Sequence, residues 1–347
     1  MIADYINYRL CGACMSTTRW LLFLILLLGS LLHAQSPPRT LRAGIIGLDT
    51  SHVIAFTKVL NDPNAQPDVS HCRVVAAYPK GSSDIESSVS RIPRYTAEIQ
   101  KLGVEITGSI NELLTKVDVV LLETNDGRPH LKQAMAVIKA GKPLFIDKPL
   151  AASLAEAIAI FEAASRHKVP IFSSSSLRYA EGVQEISQGS IGQVQGADTY
   201  SPASIEKTHP DLFWYGIHGV EMLYTIMGPG CERVVRVNTQ GTDVVVGSWK
   251  NGRIGTFRGI REGSRSYGGI AYGSETNKLI GPYRGYRPLL VEIVKFFRTG
   301  VAPVDPVETL EIYAFMEAAD ESKRQGGIPI SLKTILARAR KKAGLDP

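Results

Sequence analysis

Residues 117–123 form a run that is apolar apart from Asp118 and Glu123, and its setting constrains the fold more than any other feature of this chain. A strand that is apolar on both faces is typical of a parallel sheet with helices on each side. Short apolar strands and amphipathic helices alternate in the same way from residue 41 to residue 172. The pattern predicts an α/β domain built on a Rossmann-like, doubly wound parallel sheet.

The segments of this domain can be read from their periodicity and their turn residues. We predict strands at 41–47, 73–78, 104–107, 117–123, 144–146 and 170–172, with helices at 51–60, 129–140 and 153–167. The following residues have the alternation of an antiparallel sheet, at 193–200, 232–239, 243–249, 253–259 and 266–272. Asn251-Gly252 is a strong hairpin signal between two of these strands. Helices are predicted at 212–227, 289–298 and 307–324.

The second half is therefore predicted to be an α+β domain with a large, mainly antiparallel open sheet. The predicted divisions are a signal peptide (1–35), a nucleotide-binding domain (36–175), a substrate and oligomerisation domain (176–335) and a basic C-terminal tail (336–347).

Residues 20–32 are hydrophobic all round but too short to span a bilayer comfortably. Arg19 precedes them and Ala34 offers a cleavage site, so the segment predicts a signal peptide and an exported protein with no membrane span after processing. An uncleaved anchor is the alternative. Cys11 and Cys14 precede the leader, whereas Cys72 and Cys231 are expected to be small buried residues.

The formal charge of +6 is mild and spread along the chain. Lys and Arg cluster mainly at 338–342, and no basic stripe with interleaved aromatic residues is present. This pattern argues against a nucleic-acid partner.

Lys148 follows the strand at 144–146 and precedes a proline. The carboxyl end of a buried parallel strand lies at the crevice where such sheets bind ligands. A buried ammonium is costly there unless a polar, anionic or reactive group faces it. The alternative is a structural ion pair with Asp147.

Asp147-Lys148-Pro149 resembles the Glu-Lys-Pro signature of the glucose-fructose oxidoreductase, inositol dehydrogenase and MocA (Gfo/Idh/MocA) family. Three further stretches fit in the same order, namely residues 43–48, Thr124-Asn125 with His130, and residues 216–221. The resemblance extends over about residues 40 to 335. It implies an NAD or NADP cofactor and a sheet face that supports homo-oligomers.

The resemblance also implies roles for single residues. Lys148 would contact the nicotinamide ribose and the substrate, and His218 would be the catalytic histidine. The cofactor-binding positions of the family correspond in this chain to the turn after the first strand and to the segment after the strand at 117–123. The residues at these positions are Gly44, Gly47, Asp49, Thr50, Ser51, His52, Thr124, Asn125 and His130.

The turn after the first strand departs from the dinucleotide fingerprint, which needs three glycines. Gly47 takes the first place, but Asp49 and His52 take the other two. We expect the Asp49 carboxylate to repel a pyrophosphate. Asp49, Thr50 or Ser51 is either a simple helix cap or part of a loop rebuilt for another ligand. Further on, a loop with Lys80, Ser82 and Ser83 is either solvated or a site for a 2′-phosphate.

His218 and Glu221 lie three residues apart on a predicted helix, where they would share a face. An imidazole oriented by a carboxylate is a suitable general base. The aspartate that the family places four residues before this histidine is Trp214 here. A buried core histidine is the alternative.

An aromatic segment between 200 and 215 suits a sugar or polyol, because aromatic faces pack on CH groups while polar tips bind hydroxyls. The predicted substrate contacts are Arg178, Tyr179, His209, Trp214 and Tyr215. His209, Asp211, His218 and Glu221 match no standard ligand spacing, so no metal site is predicted.

These observations favour a Gfo/Idh/MocA-like oxidoreductase that acts on a sugar-like or polyol substrate with NAD or NADP. The alternative is a non-redox carbohydrate-active enzyme, such as a lyase or hydratase, or a secreted sugar-binding protein. The altered glycine turn and the predicted export favour that alternative.

Overall fold

The computed structural model describes residues 39–346 of the chain. The predicted signal peptide, including Cys11 and Cys14, lies outside these residues. Cys72 and Cys231 are free and buried, as predicted. Within residues 39–346, no helix is long and apolar enough to cross a membrane.

Six parallel strands form the first sheet, in the order β3-β2-β1-β4-β5-β6. Their bounds are β1 Leu41–Ile46, β2 Cys72–Tyr78, β3 Glu105–Ile106, β4 Val119–Leu122, β5 Leu144–Ile146 and β6 Ile171–Ser173. Every residue of β4 is buried, because helices cover both faces of the sheet. The predicted doubly wound sheet is therefore confirmed. The strand order reverses between β1 and β4, so a ligand crevice is expected at the carboxyl ends of these strands.

Five helices accompany this sheet, namely α1 Ser51–Leu60, α2 Glu86–Lys101, α3 Ile110–Lys116, α4 His130–Lys139 and α5 Leu154–His167. Neither α2 nor α3 was predicted from the sequence. Helix α2 has Pro93 in its interior and buries only Ser88, Tyr95 and Ile99. Helix α3 has seven residues. Both helices thus lack the long apolar stripe on which a helix prediction depends.

The second sheet has seven strands in the order β12-β11-β7-β10-β9-β8-β13. The strands are β7 Val194–Pro202, β8 Cys231–Asn238, β9 Thr242–Trp249, β10 Ile254–Ile260, β11 Gly268–Gly273, β12 Asn277–Ile280 and β13 Ile330–Ser331. All neighbours are antiparallel except β7 and β10, so the sheet is mainly antiparallel, as predicted. Asn251 and Gly252 both have positive φ between β9 and β10, which is the backbone of the predicted tight hairpin.

The remaining helices are α6 Val183–Ser187, α7 Ile217–Met227, α8 Arg287–Thr299, α9 Pro306–Arg324 and α10 Leu332–Lys342. Helix α7 begins five residues later than predicted, because residues 211–216 form turns. Helix α8 packs in the same apolar cluster as Phe145 and Phe172 of the first sheet. The predicted basic tail includes the second half of α10. The domain boundaries at 175 and 335 stay predictions.

Candidate active site

Lys148 and His218 open onto one cavity of about 280 Å³. Lys148 follows β5, whereas His218 lies in the first turn of α7, so the two residues come from opposite parts of the chain. Their side chains are almost completely buried. The other residues that line the cavity are Thr50, Ser51, His52, Ser87, Arg91, Asn125, Ser176, Leu177, Ser204, Trp214, Tyr215, Tyr267, Tyr283 and Tyr286. The structure thus brings the two predicted catalytic residues together.

The position of His218 is fixed by the packing of α7 against the second sheet. Its neighbour Gly219 lies so close to Phe257 of β10 that a side chain there would collide with the ring. The Nδ1 atom of His218 lies 2.6 Å from Ser175 Oγ, in a buried hydrogen bond. Burial lowers the pKa of His218 well below its ordinary value, and the charge of Lys148 lowers it further. The imidazole is therefore neutral at pH 7 and able to accept a proton.

Glu221 does not orient His218, contrary to the prediction from their spacing. Its carboxylate accepts hydrogen bonds from Ser174 Oγ at 2.7 Å and from the Ser175 amide at 2.8 Å. Arg178 donates to the same carboxylate at 2.9 Å. Glu221 therefore holds the 174–178 segment, which in turn supplies Ser175 to His218.

Arg178 and Tyr179 were predicted to contact substrate, but neither lines the cavity. The Arg178 guanidinium is buried between Glu221 and Glu308. It donates a hydrogen bond to the Glu308 carboxylate at 2.6 Å. The arginine therefore joins α7, which carries Glu221, to α9, which carries Glu308.

Aromatic residues form one wall of the cavity. Trp214 and Tyr215 were predicted as substrate contacts, and both line it. Three further tyrosines were missed, Tyr267, Tyr283 and Tyr286. Tyr267 donates to Tyr215 at 3.2 Å, which joins the two parts of the wall. The clustering of tyrosines between 267 and 286 was the signal in the sequence that could have identified them.

His209, the remaining predicted substrate contact, lies outside the cavity lining. Its Nε2 atom accepts from the Gly127 amide at 3.1 Å and lies 3.2 Å from Asp126. The ring also packs on Trp214, with centroids 5.0 Å apart. His209 therefore connects the loop after β4 to the aromatic wall.

Asp49 turns inward, away from the position in which it would repel a pyrophosphate. Its carboxylate accepts from the Asn125 amide at 2.9 Å and from Ser88 Oγ at 2.7 Å, and it is fully buried. Burial raises the pKa of this carboxyl group, although these hydrogen bonds oppose the shift. The expectation of a carboxylate in the phosphate path is thus wrong in its geometry.

The N-terminus of α1 is available to a ligand. Thr50 is the N-cap residue, but its side chain makes no capping hydrogen bond, and the first turn has no acidic residue. The simple capping alternative is therefore not observed. Thr50 and Ser51 line the cavity together with Arg91. Free helix N–H groups next to a guanidinium suit an anionic group such as a phosphate.

The two glycines of the first strand serve the packing of the protein itself. Gly47 has φ +88°, and a Cβ atom there would lie 2.5 Å from the Thr124 amide nitrogen. A Cβ atom on Gly44 would lie 2.8 Å from Leu113. Both positions need glycine for a close approach inside the sheet and its helices, which the fold requires with or without a cofactor.

His130 also has a structural position. Its buried ring lies 2.7 Å from the Thr124 carbonyl and 3.1 Å from the Leu150 carbonyl. The ring thus joins the loop after β4 to the loop after β5. Neither His130 nor Thr124 lines the cavity, whereas the adjacent Asn125 does.

A second cavity, of about 730 Å³, lies between the loops after β2 and β4. Lys80, Ser82 and Ser83 line it, with Arg128 and Lys132 on the other side. Ser82 donates to Asp126, and Arg128 binds Asp84 through two hydrogen bonds of 2.7 and 2.9 Å. These contacts join the two loops beside the cavity.

The two cavities fit the two ends of a dinucleotide. The larger has cationic and hydroxyl groups after β2, where a Rossmann fold holds the adenosine ribose. The smaller has the open α1 N-terminus and Lys148. Ser82 and Arg128 contact the carboxylates of Asp126 and Asp84 between the two loops. These contacts must rearrange if one ligand is to occupy both cavities. The residues present thus fit a nicotinamide cofactor.

Comparison with known proteins agrees with this geometry. Residues 41–175 match the family model GFO_IDH_MocA, described as an oxidoreductase family with an NAD-binding Rossmann fold. An inositol 2-dehydrogenase of Cereibacter sphaeroides is 33% identical over 127 residues, which cover 36% of this chain and 33% of that protein. An inositol 2-dehydrogenase 3 of Saccharopolyspora erythraea is 29% identical over 161 residues, which cover 44% of this chain and 42% of that protein. The chain therefore matches less than half of the length of these relatives.

Solved structures extend the likeness to both sheets. A scyllo-inositol dehydrogenase from Lactobacillus casei, with NAD(H) and scyllo-inositol bound, has a TM-score of 0.66 at 14% identity and covers 85% of this chain and 100% of that chain. GenD2 from gentamicin A biosynthesis, in complex with NAD, has a TM-score of 0.67 at 16% identity. The match covers 84% of this chain and 96% of that chain. At these sequence identities the likeness shows that the folds are similar and nothing more.

A parallel six-stranded sheet followed by an open mixed sheet, with a cavity at the carboxyl ends of the parallel strands, defines a Rossmann-type fold with a second, mainly antiparallel sheet. Over residues 41–175 the chain is similar to the Gfo/Idh/MocA oxidoreductase family. The same match supports NAD or NADP as its cofactor.

Proposed function

We propose that this protein is a dehydrogenase that oxidises a polyol or sugar-like alcohol with NAD or NADP. The observation that carries the proposal is the single cavity onto which Lys148 and His218 open. The inositol dehydrogenase names of its relatives support the substrate class. The matches favour this function over the non-redox alternative.

In this proposal, Lys148 and His218 divide the work on one hydroxyl group. The Lys148 ammonium donates a hydrogen bond to the reacting oxygen and stabilises the negative charge that develops on it. His218 accepts the hydroxyl proton at Nε2, while its Nδ1–H donates to Ser175 Oγ. A bound nicotinamide ring supplies the hydride acceptor. The alcohol thus loses a proton and a hydride and leaves as a carbonyl compound.

The aromatic wall suits a substrate with several hydroxyl groups. Trp214 and Tyr215 offer apolar faces for CH groups, and the hydroxyls of Tyr267 and Tyr283 lie at the same surface. Ser176 Oγ lies 3.0 Å from the Tyr283 hydroxyl, which fixes that ring. A ring polyol can pack on such a wall and bind to its polar tips.

Binding and turnover can be measured in sequence. Isothermal titration calorimetry with NAD(H) and NADP(H) should show one site per chain, and the holoprotein should then reduce the nicotinamide with at least one member of a polyol and sugar panel. Lys148→Met should abolish turnover. Lys142→Met is a matched control, because the Lys142 ammonium donates to the Val117 carbonyl in another part of the domain.

The two stages separate the two hypotheses. If neither dinucleotide binds at millimolar concentration, the dehydrogenase is excluded. If a dinucleotide binds but no alcohol in the panel is oxidised and no ketone is reduced, the non-redox alternative gains support. If the Lys148 variant turns over as fast as the Lys142 variant, Lys148 has no part in the reaction.

A further inference from the structure

Three ionisable side chains meet next to the cavity. His52 comes from the first turn of α1, Glu123 follows β4 and Asp147 follows β5. Each offers one ligand atom, and these atoms all lie within 4.8 Å of one another. The Nδ1 atom of His52 is 2.9 Å from Asp147 and 3.9 Å from Glu123. These three residues are called the triad below.

The topology of the sheet explains why the triad forms. Strands β1, β4 and β5 are adjacent and parallel, so their carboxyl ends reach the same edge. The residues that directly follow β4 and β5 therefore face the first turn of the helix that follows β1. His52 takes the place of the third glycine in the dinucleotide fingerprint, which brings its ring to both carboxylates.

The polar atoms of the triad have no hydrogen-bond partners among the described residues. This holds for both oxygens of Glu123, both oxygens of Asp147 and Nδ1 of His52. His52 and Asp147 form an ion pair at 2.9 Å, but no hydrogen bond between them satisfies both distance and angle. Both carboxylates are fully buried. Burying two carboxylates without donors costs several kcal/mol, so a positive ligand between them would be strongly favoured.

Lys148 alone does not meet this need. Its charge attracts both carboxylates, but its ammonium makes no hydrogen bond to either. Other buried carboxylates of this chain have direct donors, such as Asp49 with Asn125 and Ser88. The triad is therefore an exception to the way in which the protein treats its buried charges.

We propose that His52, Glu123 and Asp147 bind one divalent transition-metal ion such as Mn²⁺ or Zn²⁺. Ligand atoms that bind one ion at about 2.0–2.4 Å lie at most about 4–5 Å apart, as the atoms of the triad do. One imidazole nitrogen with two carboxylates suits these ions better than Mg²⁺ or Ca²⁺, which prefer oxygen ligands alone.

Three protein ligands leave coordination positions for water or for a hydroxyl group. His52 itself lines the cavity, so the ion would lie at its edge. The site goes beyond the proposed dehydrogenase function and does not depend on it, because its binding can be measured without turnover.

The test uses the full mature chain after treatment with a chelator. Electron paramagnetic resonance of Mn²⁺ should show loss of the free-ion signal at one equivalent per chain, and calorimetry with Zn²⁺ should give the same stoichiometry. Either ion should raise the melting temperature of the wild type, because it binds only the folded chain. Glu123→Gln keeps the shape of the side chain and should raise the dissociation constant by at least about 100-fold.

His209→Gln is the matched control. His209 is another buried imidazole next to a carboxylate, Asp126, but its ring nitrogens have partners in Gly127 and Thr208. Metal affinity should be unchanged in this variant. The proposal is overturned if the wild type binds neither ion at millimolar concentration and its melting temperature does not change. It is also overturned if Glu123→Gln binds Mn²⁺ as tightly as the wild type, or if His209→Gln loses the ion equally.

Discussion

Replacement of Ser175 by alanine should slow turnover because it removes the partner of His218. The hydrogen bond between His218 Nδ1 and Ser175 Oγ is 2.6 Å long, and both groups are buried. A buried polar group without a partner costs about 1–3 kcal/mol. If this cost appears in the transition state, in which the ring must face the substrate hydroxyl, kcat should fall by about 5- to 150-fold. The KM value should change little, because Ser175 does not line the cavity.

Ser174→Ala provides the control for this prediction. Ser174 Oγ donates to Glu221 at 2.7 Å and is equally buried, but it does not contact His218. Its loss should lower stability by a similar amount, while kcat stays within about threefold of the wild-type value. Steady-state kinetics and thermal melts of both variants give the comparison. The reasoning is refuted if the two variants lower kcat equally, or if Ser175→Ala turns over at the wild-type rate.

Three further predictions concern stability and processing. Gly47→Ala should lower the free energy of unfolding by at least about 1–3 kcal/mol in a denaturant titration, because the residue has φ +88° and its Cβ would press on Thr124; an unchanged midpoint contradicts this. Burial raises the pKa of Asp320 to about 7, although Arg236 attracts the carboxylate. The folded chain therefore holds this proton more tightly than the unfolded chain, and wild-type stability should fall relative to Asp320→Asn as pH rises from about 4 to 7. Melting temperatures at several pH values check this, and a difference that moves the opposite way contradicts it. Finally, we propose export with cleavage after Ala34, which N-terminal sequencing of the secreted protein tests; an intact leader contradicts it.

The parallel sheet could be predicted because each of its main strands is a short apolar run followed by a helix. Helix α2 could not, since Pro93 interrupts a mainly polar segment whose packing becomes visible only in the folded domain. The start of α7 was also displaced, because an apolar segment such as 212–216 satisfies a helical pattern while forming turns.

The candidate site was predictable where one residue follows one strand or begins one helix, as for Lys148 and His218. It was not predictable where partners depend on three-dimensional contacts. Spacing along α7 suggested that Glu221 orients His218, but the Ser174–Arg178 segment binds the carboxylate and supplies Ser175 instead. The carboxyl ends of adjacent strands did hold a signal, because polar residues follow β4 and β5 directly.

The most direct test of the proposed chemistry is a double-mutant cycle on hydride transfer. The rate is measured in single turnovers, with saturating dinucleotide and an active polyol, for the wild type, Lys148→Met, His218→Ala and the double variant. If both residues act on one hydroxyl group in one cavity, the double variant should be about as slow as the slower single variant. The account is contradicted if the rate reduction in the double variant equals the product of the two single reductions. It is also contradicted if either single variant retains the wild-type rate.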